Sequence, residues 1–188
     1  MFTFVADLRT YKVMMARTWS VDTNQSDVLI RDRHSIIAYL TGKTNDFKGT
    51  ITLENNELKD VNIDFTININ TKERTKTNIG NQLNDFLVTN KHSTIHFESI
   101  SFQKINSNIN FLKGNLTLNN ITKTVELDAI LIDLETKIGN SKAIFEMIGK
   151  INRQDFDLNK TTLKDNRGIA IGNEINLIVN LEFSVLTN

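Results

Sequence analysis

Polar and apolar residues alternate almost without a break through VNIDFTININT, residues 61–71. Val61, Ile63, Phe65, Ile67 and Ile69 fall on one side, and Asn62, Asp64, Thr66, Asn68 and Asn70 on the other. Successive side chains of an extended chain point to opposite faces, so the segment reads as a strand with one dry and one wet face. The pattern recurs in EINLIVNLEFSV, residues 174–185, where Ile175, Leu177, Val179, Leu181, Phe183 and Val185 share a face and Ile178 alone breaks the other. Such a strand spans roughly 35–40 Å at about 3.3 Å per residue, which is long for an ordinary sheet and suits a tilted barrel stave.

Shorter runs fill the rest of the chain. They carry Val28 and Ile30; Ile36, Ala38 and Leu40; Ile51 and Leu53; Ile95 and Phe97; Leu112, Leu116 and Leu118; Val125, Leu127, Ala129 and Leu131; and Ala143, Phe145, Met147 and Ile151. Turn-forming residues separate them at Asn55-Asn56, Asn106–Asn108, Asn119-Asn120, Gly139-Asn140 and Gly172-Asn173. Between Glu73 and Val88 the alternation stops, and Ile79, Leu83, Phe86 and Leu87 take helical spacing, which predicts one short amphipathic helix. Roughly eight or more antiparallel strands around one dry interior predict an all-β domain, either a sandwich or a closed barrel. The apolar faces are core in either case. In a barrel of about eight strands the interior is filled by side chains or holds one small ligand.

Composition narrows the function. The chain has 188 residues, enough for one domain with a sizeable core, and its 22 Lys and Arg balance 22 Asp and Glu. Zero net charge with scattered cations argues against a general nucleic-acid binder. Cysteine is absent, which removes disulfides, thiolate nucleophiles and Cys-based metal sites. The N-terminal MFTFVADLRTYKVMMARTWS is interrupted by Asp7, Arg9 and Lys12 and does not read as a signal peptide, so a cytoplasmic protein is expected, with the periplasm as the alternative. No stretch has the length and apolarity of an integral membrane helix. Residues 1–16 are taken as an N-terminal appendage and 17–188 as a single domain.

Catalytic chemistry leaves little trace. No GxSxG elbow, GxGxxG loop or phosphate-binding Gly-Lys-Ser/Thr loop is present. His92 and His96 have the i, i+4 spacing of a helical metal site, but KHSTIHFESISF is strand-like, and two strand residues four apart stand about 13 Å from each other. Neither a metal nor a catalytic residue is expected.

GNLTLNNITKTVEL, residues 114–127, resembles a motif of the YceI-like family, the polyisoprenoid-binding barrel proteins. Gly114, Leu116, Thr117, Thr122, Lys123, Val125 and Leu127 fit it, while Asn115, Asn120 and Thr124 stand where the family has Asp, Gly and Pro. Further pieces follow in the family's order: WSVD at 19–22, Gln25-Ser26, His34, LTGKTNDFKGTI at 40–51, STIHFES at 93–99, INRQDFDLN at 151–159 and IGNEINLIV at 171–179. Asp157 replaces a family Gly, and of the family's Arg-Asp-x-His-Leu…Asp-Phe-Phe region only Asp85-Phe86 is recognisable. The resemblance covers about residues 17–186.

It implies an eight-stranded antiparallel, lipocalin-like β-barrel with a helix near one end, commonly a homodimer, holding an isoprenoid lipid, quinone or similar amphipathic lipid as its ligand and needing no other cofactor. The expected function is carriage or sequestration of that lipid, without catalysis. The alternatives are a filled barrel serving as a protein-interaction module, and an enzyme acting on a lipid head group. The residues expected to face the lumen are Phe65, Ile67, Phe97, Leu116, Leu118, Phe145, Met147, Leu181 and Phe183, with Phe86 closing an end. A polar head is expected at the mouth, near His34, Asp85 or Arg153.

Overall fold

Each alternating run becomes a strand whose apolar row turns inward. The structure is a computed structural model and describes residues 16–54, 57–69, 93–106, 109–137, 140–158 and 170–185. The helix expected between Glu73 and Val88, with Asp85 and Phe86, lies outside the described residues, as do residues 1–15. The strands are β1 (Ala16–Val21), β2 (Asp27–Arg31), β3 (Ile36–Thr41), β4 (Asp46–Glu54), β5 (Glu57–Ile69), β6 (Ser93–Lys104), β7 (Ile109–Leu118), β8 (Ile121–Lys137), β9 (Asn140–Asn152) and β10 (Glu174–Ser184).

These ten segments make a barrel of eight staves. The sheet runs β1-β4-β5-β6-β7-β8-β9-β10, every neighbour antiparallel, and closes where β1 meets β10 at Ser20–Ser184 and Val21–Phe183. The hairpin of β2 and β3 joins the other end of β10, with Leu177 opposite Ile30 and Val179 opposite Val28. β1 and β2 therefore lie along one edge of β10 as two pieces of an interrupted stave. A 3₁₀ turn at Thr23–Gln25 breaks it. Ser26 stitches the break: its buried hydroxyl donates to the Asp22 carbonyl at 2.7 Å and accepts from the Glu182 amide at 3.1 Å. Closure pairs the sheet's own edges, removing most of the unpaired backbone of an open sheet.

Bulges bend the staves. Register shifts fall at Ile30/Arg31, Thr52/Glu54, Ser99/Ser101 and Leu131/Asp133. An inserted residue is left unpaired and strengthens the local twist. The bulge residues Ile100 and Ile132 are accordingly exposed. The first shift corrects the expected β3 face: Ile36 is exposed, and Ile37 and Ala38 are both buried, because Arg31 pairs with Ile36 while Ile30 pairs with Ala38. At the Asn119-Asn120 turn both residues have positive φ, 50° and 60°, the geometry a two-residue hairpin requires and Asn tolerates. Among the described residues no helix is long and apolar enough to cross a membrane, which says nothing about strands.

A candidate ligand-binding lumen

The inward rows answer what the dry face of residues 61–71 looks at: the inside of the barrel. Val61, Ile63, Phe65, Ile67 and Ile69 are all buried there. The half of the barrel nearer the β2–β3 and β7–β8 turns, here the upper half, encloses a cavity of about 50 Å³. Its wall is made of apolar side chains alone, among them Phe65, Ile67, Phe97, Leu116, Leu118, Met147 and Leu181 from the sequence-based set. Val28, Ile30, Ile63, Ile95, Val125, Leu127, Ile151, Leu177 and Val179 complete it. Sequence reasoning placed these nine on dry faces without singling them out. The signal was the same alternation, and what was missing was the height of each residue in the barrel.

Three inward-facing glycines keep this half open. A Cβ at Gly114 would collide with the Phe97 ring, and one at Gly149 with Leu127. One at Gly49 would lie 2.8 Å from the Phe65 ring. Each large side chain thus lies back into a slot in the neighbouring stave, over a residue with no side chain of its own. Phe65 is held there by Phe47, edge-on at 5.4 Å between centroids. Aromatic rings that would otherwise meet in the middle are stored along the wall.

The lower half is filled. Phe145 and Phe183, expected in the lumen, are fully buried but lie below the cavity and do not line it. Phe145 packs edge-on between Phe102 and Phe183, with centroids 6.5 and 6.4 Å away. Fully buried Trp19, Leu112, Ala129 and Ala143 occupy the same end of the inward rows. These side chains form a floor below the cavity.

Of the polar residues expected at the mouth, Arg153 belongs to the upper end. It opens a 3₁₀ turn (Arg153–Phe156) directly after β9, capped by Asn152, whose Oδ1 accepts from the Gln154 amide at 3.0 Å. It is buried. His34 differs from expectation: it sits in the β2–β3 turn, exposed, and faces an outer groove lined also by Arg31, Arg33, Lys150 and Glu174 rather than the lumen. That turn is organised by Asp32, whose Oδ1 accepts from the amides of His34 at 2.8 Å and Ser35 at 2.6 Å. The outer groove is larger, about 670 Å³, but open and charged, with Lys150 paired to Glu174 at 3.0 Å. Its lining mixes these charges with Ile148 and Ile178. His96 lies on the outer wall, 3.2 Å from Asp64.

A family model described as a YceI-like domain matches residues 19–183, from the opening stave to the closing one. The chain belongs to the YceI-like family. It is 34% identical over 158 residues to protein YceI of Escherichia coli O6:H1, covering 82% of this chain and 79% of that one. A solved YceI protein from Campylobacter jejuni aligns with a TM-score of 0.59 at 25% identity, covering 76% of this chain and 82% of the other. A polyisoprenoid binding domain from Saccharophagus degradans shares the fold, with a TM-score of 0.55 at 10% identity over 89% of this chain and 98% of its own. The YceI-like frame also locates the Asp157 departure. Asp157 caps the 3₁₀ turn in the left-handed region, φ 54° and ψ 33°, a conformation that favours glycine.

Proposed function

We propose that this YceI-like protein binds the apolar chain of an isoprenoid lipid, a quinone or a similar amphipathic lipid in the upper lumen, and carries or sequesters it without chemical change. The observation that carries the reading is the cavity wall, which presents only hydrocarbon and thioether surface to whatever lies inside. The Saccharophagus neighbour, a polyisoprenoid binding domain, supports the same reading. Burying about 400 Å² of chain would contribute about 10 kcal/mol gross at roughly 25 cal/mol per Å², before ordering and immobilisation losses.

At about 50 Å³ the cavity is below the roughly 300–1,000 Å³ typical of small-molecule sites, so a chain must widen it. The adaptable groups are Met147, with three rotatable bonds and a polarisable sulfur, and the leucines at 116, 118 and 181. The small volume is also the one observation favouring the rival, a barrel filled by its own side chains that serves as a protein-interaction module. Native mass spectrometry of gently purified protein, followed by organic extraction, separates the two. Co-purifying lipid, or uptake of added farnesol, supports the carrier; failure of both overturns it. The proposal includes a homodimer, as the family likeness implies, and sedimentation equilibrium showing a monomer at micromolar concentration would remove that part.

A further inference from the structure

The outer row of β10 is polar at Asn176, Asn180, Glu182 and Ser184 and is broken once, by Ile178. Register gives that break a setting. Ile178 pairs with Ile148 on β9 and with Leu29 on β2, and Leu29 pairs with Tyr39 on β3. Outward positions in line across four strands are therefore apolar. Tyr39 is 52% and Ile148 38% exposed, while Leu29 and Ile178 are half-buried. The opposite wall differs: β5 and β6 present Asn62, Asp64, Thr94 and Glu98 to solvent. An apolar row that runs across adjoining strands on an outer face, rimmed by polar residues, marks an interaction surface.

The two flanks of this row carry opposite charges. In the next outward row toward the upper end, Arg31, Asn176 and Lys150 stand side by side; in the next one below, Asp27, Asn180 and Glu146 do. Arg31 and Asp27 lie two residues either side of Leu29, Lys150 and Glu146 two either side of Ile148, and the two asparagines two either side of Ile178. Asp27 is held in place by the Tyr39 hydroxyl at 3.3 Å and by Asn180 Nδ2 at 2.9 Å. Neither Arg31 nor Glu146 forms an ion pair among the described residues, and that of Lys150, with Glu174, is exposed. Half a turn about the apolar row maps the pattern onto itself: cations cover carboxylates, Asn covers Asn and the row covers itself. A second copy of this chain is the partner that matches at every position. An anionic membrane would be attracted by the upper flank and repelled by the lower one.

We propose that this outer face is the contact surface of a homodimer whose two-fold axis lies along the row from Tyr39 through Leu29 and Ile178 to Ile148. This rests on the homodimer part of the function proposed above and assigns it a face and an orientation. In such an isologous contact Arg31 meets the partner's Asp27, and Lys150 meets the partner's Glu146. The apolar row supplies the attraction, and the charges fix the register. The half turn also reverses the strands, so the upper ends of the two barrels point in opposite directions.

The test is sedimentation equilibrium of the full chain at micromolar concentration. Wild type should be dimeric, and Ile178→Lys should raise the dimer dissociation constant at least about thirtyfold, the usual loss at the centre of an interface, with the far-ultraviolet circular dichroism of the wild type. Lys150→Glu and Glu146→Lys should each weaken the dimer about tenfold, because each sets like charges against each other twice, and the double variant should return to within a few-fold of wild type. Ile178→Cys gives an independent reading, since the chain has no other cysteine and Ile178 lies against its own copy. Mild oxidation should link that variant into a covalent dimer and leave Asp64→Cys, on the opposite wall, unlinked. A dimer that Ile178→Lys leaves intact, a double variant no tighter than either single one, or no disulfide in Ile178→Cys would each overturn this face while leaving the homodimer reading in place. A monomeric wild type would instead remove that reading and this contact with it, and binding of that monomer to phosphatidylcholine vesicles, lost in Ile178→Lys, would assign the row to a membrane.

Discussion

The upper and lower halves of the barrel are built from the same alternating strands, and even from the same residues in different places. Phe65 and Phe97 above, Phe145 and Phe183 below, all occupy inward positions. Above, the rings lie back over Gly49 and Gly114 beside the cavity; below, Phe145 meets Phe183 on the adjoining stave and Phe102 on β6, and neither Phe145 nor Phe183 lines it. The difference is not hydrophobicity but what stands opposite each ring. A glycine on the adjoining stave takes the ring out of the centre, whereas a second ring draws it in. A floor and a chamber thus arise from one binary pattern.

The largest expected effect lies in the floor. Phe145→Ala should cost about 3–5 kcal/mol in a denaturant titration, because a fully buried ring leaves a cavity its neighbours only partly fill. A loss under about 1 kcal/mol would mean the two halves are packed alike, for a tight site cannot lose a ring so cheaply. The chamber should respond differently. Gly149→Ala forces Leu127 out of its slot, which should cost about 1–3 kcal/mol by overpacking and lower lipid retention as well. Adding Leu127→Val, which shortens the displaced side chain, should restore retention; if it does not, the slot is not what holds the chamber open.

Phe97→Trp should act mainly on the chamber, lowering the fraction of protein carrying lipid in native mass spectra while far-ultraviolet circular dichroism stays that of the wild type. Retention equal to wild type would show that the ring never limits the bore. The smallest effect belongs to the outer wall, which serves as the reference for both halves. Asp46 accepts a hydrogen bond from Asn68 Nδ2 at 3.0 Å and lies 3.0 Å from Lys48 Nζ, and these hold its carboxyl below the ordinary range. A lowered carboxylate contributes stability above its unfolded-state value that is lost as pH falls through the folded one. Any difference in melting temperature between wild type and Asp46→Asn should therefore be slight near neutral pH and vanish on acidification through the carboxylate range. A gap that widens in acid would contradict this.

Much of the fold was legible from one residue to the next. The alternation at 61–69 and 174–185, the Asn-Asn turn at 119–120 and the family pieces from WSVD to IGNEINLIV all lead to an antiparallel barrel, and the family match over 19–183 agrees. The candidate site was legible only as a set of inward residues. Seven of the expected lumen residues line the cavity, Phe145 and Phe183 form its floor, and His34 faces an outer groove. The misplacement of His34 has a plain cause: a turn residue shares the rim of a barrel whether it points in or out, and spacing along the chain does not tell which.

What the sequence determined by itself was the side each residue takes, since a strand's two-residue period fixes inside and outside wherever one face is dry. What tertiary structure decided was which inward residues meet. Gly114 and Phe97 are 17 positions apart, Phe102 and Phe145 are 43 apart, and both relations depend on register and bulges summed around the closed ring. Arg153 is the sharpest instance. The family resemblance places it near the mouth, and only the folded barrel buries it just past the end of β9, with Nε and Nη1 lacking a hydrogen-bond partner.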